Sequence, residues 1–136
     1  MSRSTFASIA ALISLVNAVP ALIAPVAIAS LYGVSADAQT LLIAQLLAAA
    51  YLGYAVIAWT TRDTTETAVR RGIDAGNALP WGVSAVIWIY VASTGMTNAV
   101  GWFAAGLTVV FALGWAYFLI VDRSSESGVV AITPRV

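Results

Sequence analysis

Long apolar runs fill most of the chain, and short polar segments divide them into four. The runs cover about residues 5–31, 36–60, 64–94 and 98–121. Each reaches the length of about 20 residues that a helix needs to cross a hydrocarbon core of about 30 Å. The pattern predicts an all-α integral membrane protein, a four-helix bundle in up-down order, formed by a single domain over residues 1–122. The last segment, 123–136, loses this periodicity and is expected to be a loosely ordered tail.

The first run contains two prolines, and two glycines follow the first and third runs. Pro20 and Pro25 each remove a backbone hydrogen bond, which predicts a kink in the first helix. Gly33 and Gly95 stand where helices end, a position that favours glycine. The first run exceeds the apolar region of a signal peptide, about 7–15 residues, so we expect it to be retained as a helix.

Polar residues before the later runs predict where those helices begin. Ser35 has the side chain of an N-cap for the second helix. The segment Asp63–Glu66 has the form of a capping box and predicts a helix start near Thr64. Thr97 or Asn98 is expected to cap the fourth helix.

Charge is concentrated between the second and third runs. The chain has 6 basic and 6 acidic residues, and half of them lie between Thr60 and Trp81. In a four-span arrangement every arginine falls on one side of the membrane, and the short loops on the other side have none. The positive-inside rule therefore predicts cytoplasmic termini, in a multi-pass protein of a bacterial cytoplasmic (inner) membrane. The bacterial source is inferred from abundant alanine and from basic residues that are all arginine.

Several residue types are absent, and each absence excludes a kind of chemistry. Without lysine the chain forms no retinal Schiff base. Without histidine or cysteine it has no His- or Cys-ligated haem or metal and no thiol catalysis. The net charge of zero gives no reason to expect a nucleic-acid partner. The identity of any cofactor stays open.

Asp74 is the most conspicuous candidate for a functional side chain. It lies about one helical turn inside the apolar boundary, where a carboxylate is costly and often functional. It could bind a cation, carry a proton or hold a ligand. The alternative, which we favour, is an ion pair with Arg70, four residues earlier on the same helix.

Other polar and aromatic residues form a second group of candidates. Asn17, Gln45 and Asn77 could line one polar pocket, or they could form interhelical hydrogen bonds, which we favour. Three tryptophans fall on the helix faces that we expect to point into the bundle, namely Trp81, Trp88 and Trp115. They could form a cavity for a flat hydrophobic ligand, or they could fill the core, and we favour the core. Three arginines near the membrane surface are candidates for contact with an anionic head group: Arg62, Arg70 and Arg71.

Short motifs in the second half of the chain carry a resemblance to known proteins. They are Ala58-Trp59 with Arg62, Arg70-Arg71, Asn98-Ala-Val-Gly-Trp102 and Ala112-Leu-Gly-Trp-Ala-Tyr-Phe118. Between about Tyr51 and Phe118 the chain resembles a group of small uncharacterised bacterial four-span integral membrane proteins. The resemblance implies the architecture and no established activity.

Three functions compete at this point. The first is a non-enzymatic membrane protein that binds a lipid or hydrophobic ligand, or serves as an accessory subunit of a larger membrane complex. The second is a proton-coupled transporter like those of the small multidrug-resistance kind. The third is a small membrane enzyme on lipidic substrates, with Tyr51 or Tyr54 as an acid. The scarcity of catalytic groups favours the first. Small residues on more than one helix face predict a homo-oligomer or a larger complex, in contact with membrane lipids.

Overall fold

The computed structural model describes the backbone from residue 1 to residue 130 and the side chains up to Val121. This part of the chain is all-helical, and its five helices are α1 (Arg3–Ile23), α2 (Pro25–Leu31), α3 (Ala38–Thr60), α4 (Thr67–Ser93) and α5 (Ala99–Val130). Of the helices described, α1, α3, α4 and α5 are long and apolar enough to cross a membrane. The predicted fold class is confirmed, and the chain is a small multi-pass membrane protein.

The first membrane span is broken where only a kink was predicted. α1 ends at Ile23, and Ala24 leaves the helical region with φ −141° and ψ 55°. Pro25 then begins α2, because its fixed φ suits the first position of a helix and its missing N–H needs no partner there. After α2 the chain turns at Gly33, whose φ of 73° is the left-handed conformation that glycine adopts readily.

The caps of α3 and α5 lie at or near the predicted positions. Asp37, rather than Ser35, caps α3, and its carboxylate accepts from the backbone N–H of Thr40 at 2.8 Å. Asn98 caps α5 as predicted, accepting from the backbone N–H of Val100 at 2.9 Å. Both helices therefore begin with a side-chain acceptor for a backbone N–H that has no partner within the helix.

The capping box predicted at Asp63 is wrong. α4 begins at Thr67, and Glu66 occupies the cap position without a side-chain hydrogen bond. Asp63 instead accepts from the hydroxyl of Ser4 at 2.6 Å, so its carboxylate joins two segments of the chain.

Contacts at the two ends of the bundle establish the up-down order. At one end, called the arginine end, Arg3 lies beside Thr61 and Arg62. At the other, called the tyrosine end, the side chain of Asn98 donates to the carbonyl oxygen of Leu31 at 2.9 Å, and its backbone N–H donates to Tyr32 at 3.0 Å. The start of α1, the end of α3 and the start of α4 therefore share the arginine end.

The helices pack as two close pairs, α1 with α3 and α4 with α5. The buried residues of α3 are all alanine, namely Ala48, Ala55 and Ala58, and such small side chains allow close backbone approach. Aromatic rings separate the pairs: the ring of Phe6 on α1 lies 5.1 Å from that of Trp115 on α5. The core is thus wider between the pairs than within them.

The backbone of α5 continues past the predicted end of the fourth span. The sequence predicts that end near Val121, whereas the helix extends to Val130. The predicted tail, 123–136, therefore overlaps α5 in its first part, and 131–136 lie outside the described residues.

Candidate functional site

Asp74 is buried in an ion pair with Arg3, 71 positions away in the chain. Its exposed fraction is 0 %, and that of Arg3 is 7 %. The Nε of Arg3 donates to both carboxylate oxygens, at 2.9 and 3.1 Å, and its Nη2 donates to Oδ1 at 2.7 Å. The predicted ion pair with Arg70 is therefore wrong in its partner, although the prediction that Asp74 is paired is confirmed.

The start of α1 places Arg3 at this position. Ser2 caps the helix by accepting from the backbone N–H of Thr5 at 3.1 Å. The remaining guanidinium nitrogen, Nη1, donates to the carbonyl oxygens of Thr61 and Arg62 at 3.3 and 3.4 Å. These carbonyls follow the end of α3, where backbone acceptors have no partner in the helix and favour a cation. Arg3 thus joins α1 to both α3 and α4.

The three amide side chains proposed for a polar pocket lie apart. Asn17 is exposed and donates to its own helix, as does the buried Asn77, each at 2.8 Å. Gln45 on α3 donates to the carbonyl oxygen of Leu22 at 3.0 Å, beside the break at Ala24. One of the three therefore makes an interhelical hydrogen bond, and it satisfies an acceptor that the break in the first span leaves open.

Two of the three tryptophans belong to the core. Trp81 is buried and its ring lies 4.8 Å from that of Phe111, while Trp115 is 0 % exposed. Both belong to one cluster of buried hydrophobic side chains. Trp88 is half-buried and stacks on Tyr32 at 4.9 Å, near the tyrosine end. The three rings therefore do not enclose a common cavity.

A cleft of about 160 Å³ lies between α3 and α4. Tyr51 and Tyr54 form one wall, and Trp81 and Ser84 form the other, with the ring of Tyr51 6.0 Å from that of Trp81. Within residues 1–121, none of the three hydroxyl groups lining this cleft is hydrogen-bonded to another group of the chain. Tyr51 lies nine residues before the end of α3, or ~14 Å along the helix, which is close to the middle of a hydrocarbon core of about 30 Å.

A second concave surface lies between α1 and α3, with a volume of about 410 Å³. Arg62 lies at its surface end, with the guanidinium carbon 4.1 Å from the ring centre of Trp59. Its side chain remains 30 % exposed. Arg70 and Arg71 are partly buried in the first turns of α4. Arg62 therefore lies in the turn after α3, beside an apolar surface, whereas Arg70 and Arg71 lie on α4.

Comparisons of the chain with protein-family models, with curated proteins and with solved structures give no match. The resemblance to small bacterial four-span proteins stays a prediction. The function has to be argued from the geometry of the described residues.

Proposed function

We propose that this chain is a non-enzymatic membrane protein that binds a lipid-soluble ligand in the cleft between α3 and α4. The observation that carries the proposal is the set of unpaired hydroxyls of Tyr51, Tyr54 and Ser84 at membrane depth. Hydrocarbon provides no water to bond them, and a hydroxyl without a partner in apolar surroundings costs roughly 1–3 kcal/mol. A ligand with oxygen acceptors would remove that cost.

The size of the cleft limits what enters it. A cavity of about 150 Å³ holds one benzene ring, and the cleft has about 160 Å³. Sites for whole drug-sized ligands have roughly 300–1,000 Å³. The ligand would therefore place one ring or a small polar group against Tyr51 and Trp81, while its apolar remainder lies in the bilayer.

Native mass spectrometry of protein extracted gently from its own membrane tests this proposal. The wild-type chain is expected to retain a ligand that the Tyr51→Phe/Tyr54→Phe variant loses, because phenylalanine keeps the rings and removes both hydroxyls. Tyr90→Phe is the matched control, since Tyr90 is an exposed tyrosine outside the cleft. Equal retention by all three proteins, or an empty wild-type chain, would refute the proposal.

A proton-coupled transporter ranks second. Such a carrier needs a carboxylate that alternately gains and loses a proton as substrate or water reaches it. Asp74 has an exposed fraction of 0 % and accepts three hydrogen bonds from Arg3, which favours a structural role. Proton-coupled uptake into liposomes by an otherwise empty protein would reverse this ranking. A membrane enzyme ranks third, because within residues 1–121 no acidic or basic side chain lines the cleft beside Tyr51 and Tyr54.

We also propose self-association or membership of a larger membrane complex. The small pair Ala49 and Gly53 is exposed on α3. Apart from the neighbouring backbone of α3, no described atom lies within 4 Å of where a Gly53 side chain would begin. Such a pair lets another helix approach closely. Single-molecule photobleaching in bilayers is expected to show more than one step per particle. A single step at every lipid-to-protein ratio would exclude a homo-oligomer.

The arrangement in a bacterial inner membrane remains a proposal based on the arginines. With the arginine end in the cytoplasm, Ser35→Cys is expected to react with an impermeant thiol reagent from outside, and Thr65→Cys is not. Both positions are exposed in loops at opposite ends of the bundle. The reverse labelling pattern would invert the orientation.

A further inference from the structure

The groove between α1 and α3 differs in chemistry from the cleft. Alanines form its floor, Ala11 and Ala55, and larger apolar side chains form its walls. The one hydroxyl at its edge, that of Thr60, donates to the carbonyl oxygen of Val56 at 2.8 Å. Apolar atoms therefore form almost all of the groove's surface, which suits a hydrocarbon chain.

The groove also has the depth of one leaflet. It begins at Thr60, at the arginine end, and reaches Leu15 on α1. Leu15 lies twelve residues after Arg3, or ~18 Å along the helix. Half of a hydrocarbon core is about 15 Å thick. A lipid acyl chain lying in the groove would thus extend from the membrane surface to the bilayer centre.

Arg62 lies at the surface end of the groove, and contacts with Trp59 and Asp63 hold its guanidinium in place. Arg62 lies over the ring of Trp59, which lines the groove, and its Nη1 donates to the carbonyl oxygen of Trp59 at 2.6 Å. Its Nε faces the exposed carboxylate of Asp63 at 3.2 Å, and Asp63 also accepts from Ser4. Nη2 makes no hydrogen bond to the chain within residues 1–121. An arginine positioned in this way can donate to phosphate, and an interfacial tryptophan suits the head-group level.

We infer that the groove binds one anionic phospholipid, with an acyl chain between α1 and α3 and the phosphate against Arg62. This site is separate from the cleft between α3 and α4 and does not depend on the ligand proposed there. The charge of Arg62 accounts for the preference for an anionic head group, and the apolar groove fixes where the acyl chain of the lipid lies.

Native mass spectrometry from nanodiscs that contain equal amounts of phosphatidylglycerol and phosphatidylcholine tests the inference. The wild-type chain is expected to retain phosphatidylglycerol in preference. Arg62→Gln should lower that preference about fivefold, and Arg62→Lys should restore part of it. Val56→Trp places a ring in the groove from an exposed position and should reduce the retention of both lipids.

Two controls make the outcome specific. Arg71→Gln removes the same charge from α4, outside the residues that line the groove, and should leave the preference unchanged. Tyr51→Phe/Tyr54→Phe should also leave it unchanged, which separates this site from the cleft. The inference would be overturned if the wild-type chain retained both lipids equally, or if Arg62→Gln and Arg71→Gln lost the preference equally. It would also be overturned if Val56→Trp retained as much lipid as the wild-type chain, or if a dimer appeared in place of bound lipid.

Discussion

Replacing Asp74 by asparagine is expected to destabilise the bundle by about 3 kcal/mol, because Arg3 would become a buried cation without a counter-charge. Removing one partner of a buried ion pair costs roughly 3–5 kcal/mol. The lower end applies here because Arg3 keeps its hydrogen bonds to the carbonyl oxygens of Thr61 and Arg62. It also lies in the first turn of α1, from which a long side chain can turn toward water.

A double-mutant cycle separates the pair from the effects of the individual substitutions. Arg3→Gln, Asp74→Asn and the double variant would be unfolded with dodecyl sulfate in mixed micelles and followed by circular dichroism. The loss in the double variant should fall below the sum of the single losses by about 2 kcal/mol, since breaking the pair is counted once rather than twice. A parallel cycle of Arg70→Gln with Asp74→Asn should be additive within about 0.5 kcal/mol.

The two cycles distinguish an ion pair of Asp74 with Arg3 from an ion pair of Asp74 with Arg70. Additive effects of Arg3→Gln and Asp74→Asn would refute the ion pair as a stabilising contact. A larger coupling with Arg70 would favour the local pair that helical spacing predicts. If Asp74→Asn left the free energy of unfolding unchanged and abolished ligand binding or transport, Asp74 would be functional and the transporter would rank first.

Three further changes test the packing and the helix ends. Gly114→Ala should cost about 1–3 kcal/mol relative to Gly106→Ala in the same assay, because the buried ring of Phe6 occupies the space that the new methyl group needs, whereas Gly106 has open space. Gln45→Leu should cost about 0.6 kcal/mol, the mean for an interhelical hydrogen bond in a membrane; no measurable loss would show that the bond to the α1 break is dispensable. The hydrogen bonds that Asp37 accepts from Thr40 lower the pKa of that carboxyl below its usual value of 3.8. The cap therefore stabilises the start of α3 fully above pH 3.8, and this stabilisation is lost as the pH falls through the lowered pKa. Asp37→Asn should therefore show weaker acid loss of amide-exchange protection at the start of α3, and an unchanged acid loss would contradict the cap.

Local signals in the sequence predicted the helical framework well. The apolar runs have the length of a membrane span, and Gly33 and Gly95 both adopt φ of 73° at helix ends, as their positions indicated. Asn98 caps α5 as expected. These features depend on neighbouring residues along the chain, so a single sequence is enough to predict them.

The partner of Asp74 could not be read from the sequence in the same way. Helical spacing identified Arg70 because it lies four residues away, whereas Arg3 lies 71 positions away on another helix. Which of several arginines reaches a buried carboxylate depends on how the two helix pairs approach each other. The sequence does indicate that Arg3 could pair with Asp74, since a four-span arrangement places both near the same membrane surface. The other arginines fall on the same side of the membrane, so this argument does not select Arg3 among them.

The prediction of a capping box at Asp63 fails for a related reason. The pattern of an acidic cap followed by Glu66 is local, and it competes with interactions that reach across the bundle. Asp63 bonds Ser4 near the start of α1 and pairs with Arg62 after α3. The long-range bond from Ser4 and the pair with Arg62 take the carboxylate that a local cap would use, and α4 begins at Thr67 without a side-chain cap.

The large aromatic side chains between the two helix pairs both fill the core and leave space for the cleft proposed for ligand binding. Polar contacts join the two helix pairs near both ends, through Arg3 and Asp74 at the arginine end and through Asn98 at the tyrosine end. Between these ends, aromatic rings such as that of Trp81 keep α3 and α4 apart, because a tryptophan cannot be packed as closely as the alanines within each pair. The separation leaves room beside Tyr51. A smaller side chain at position 81 would remove the wall of the cleft together with the spacer. Trp81→Ala should therefore lose both the ligand and core stability, whereas Tyr51→Phe should lose the ligand without a loss of core stability.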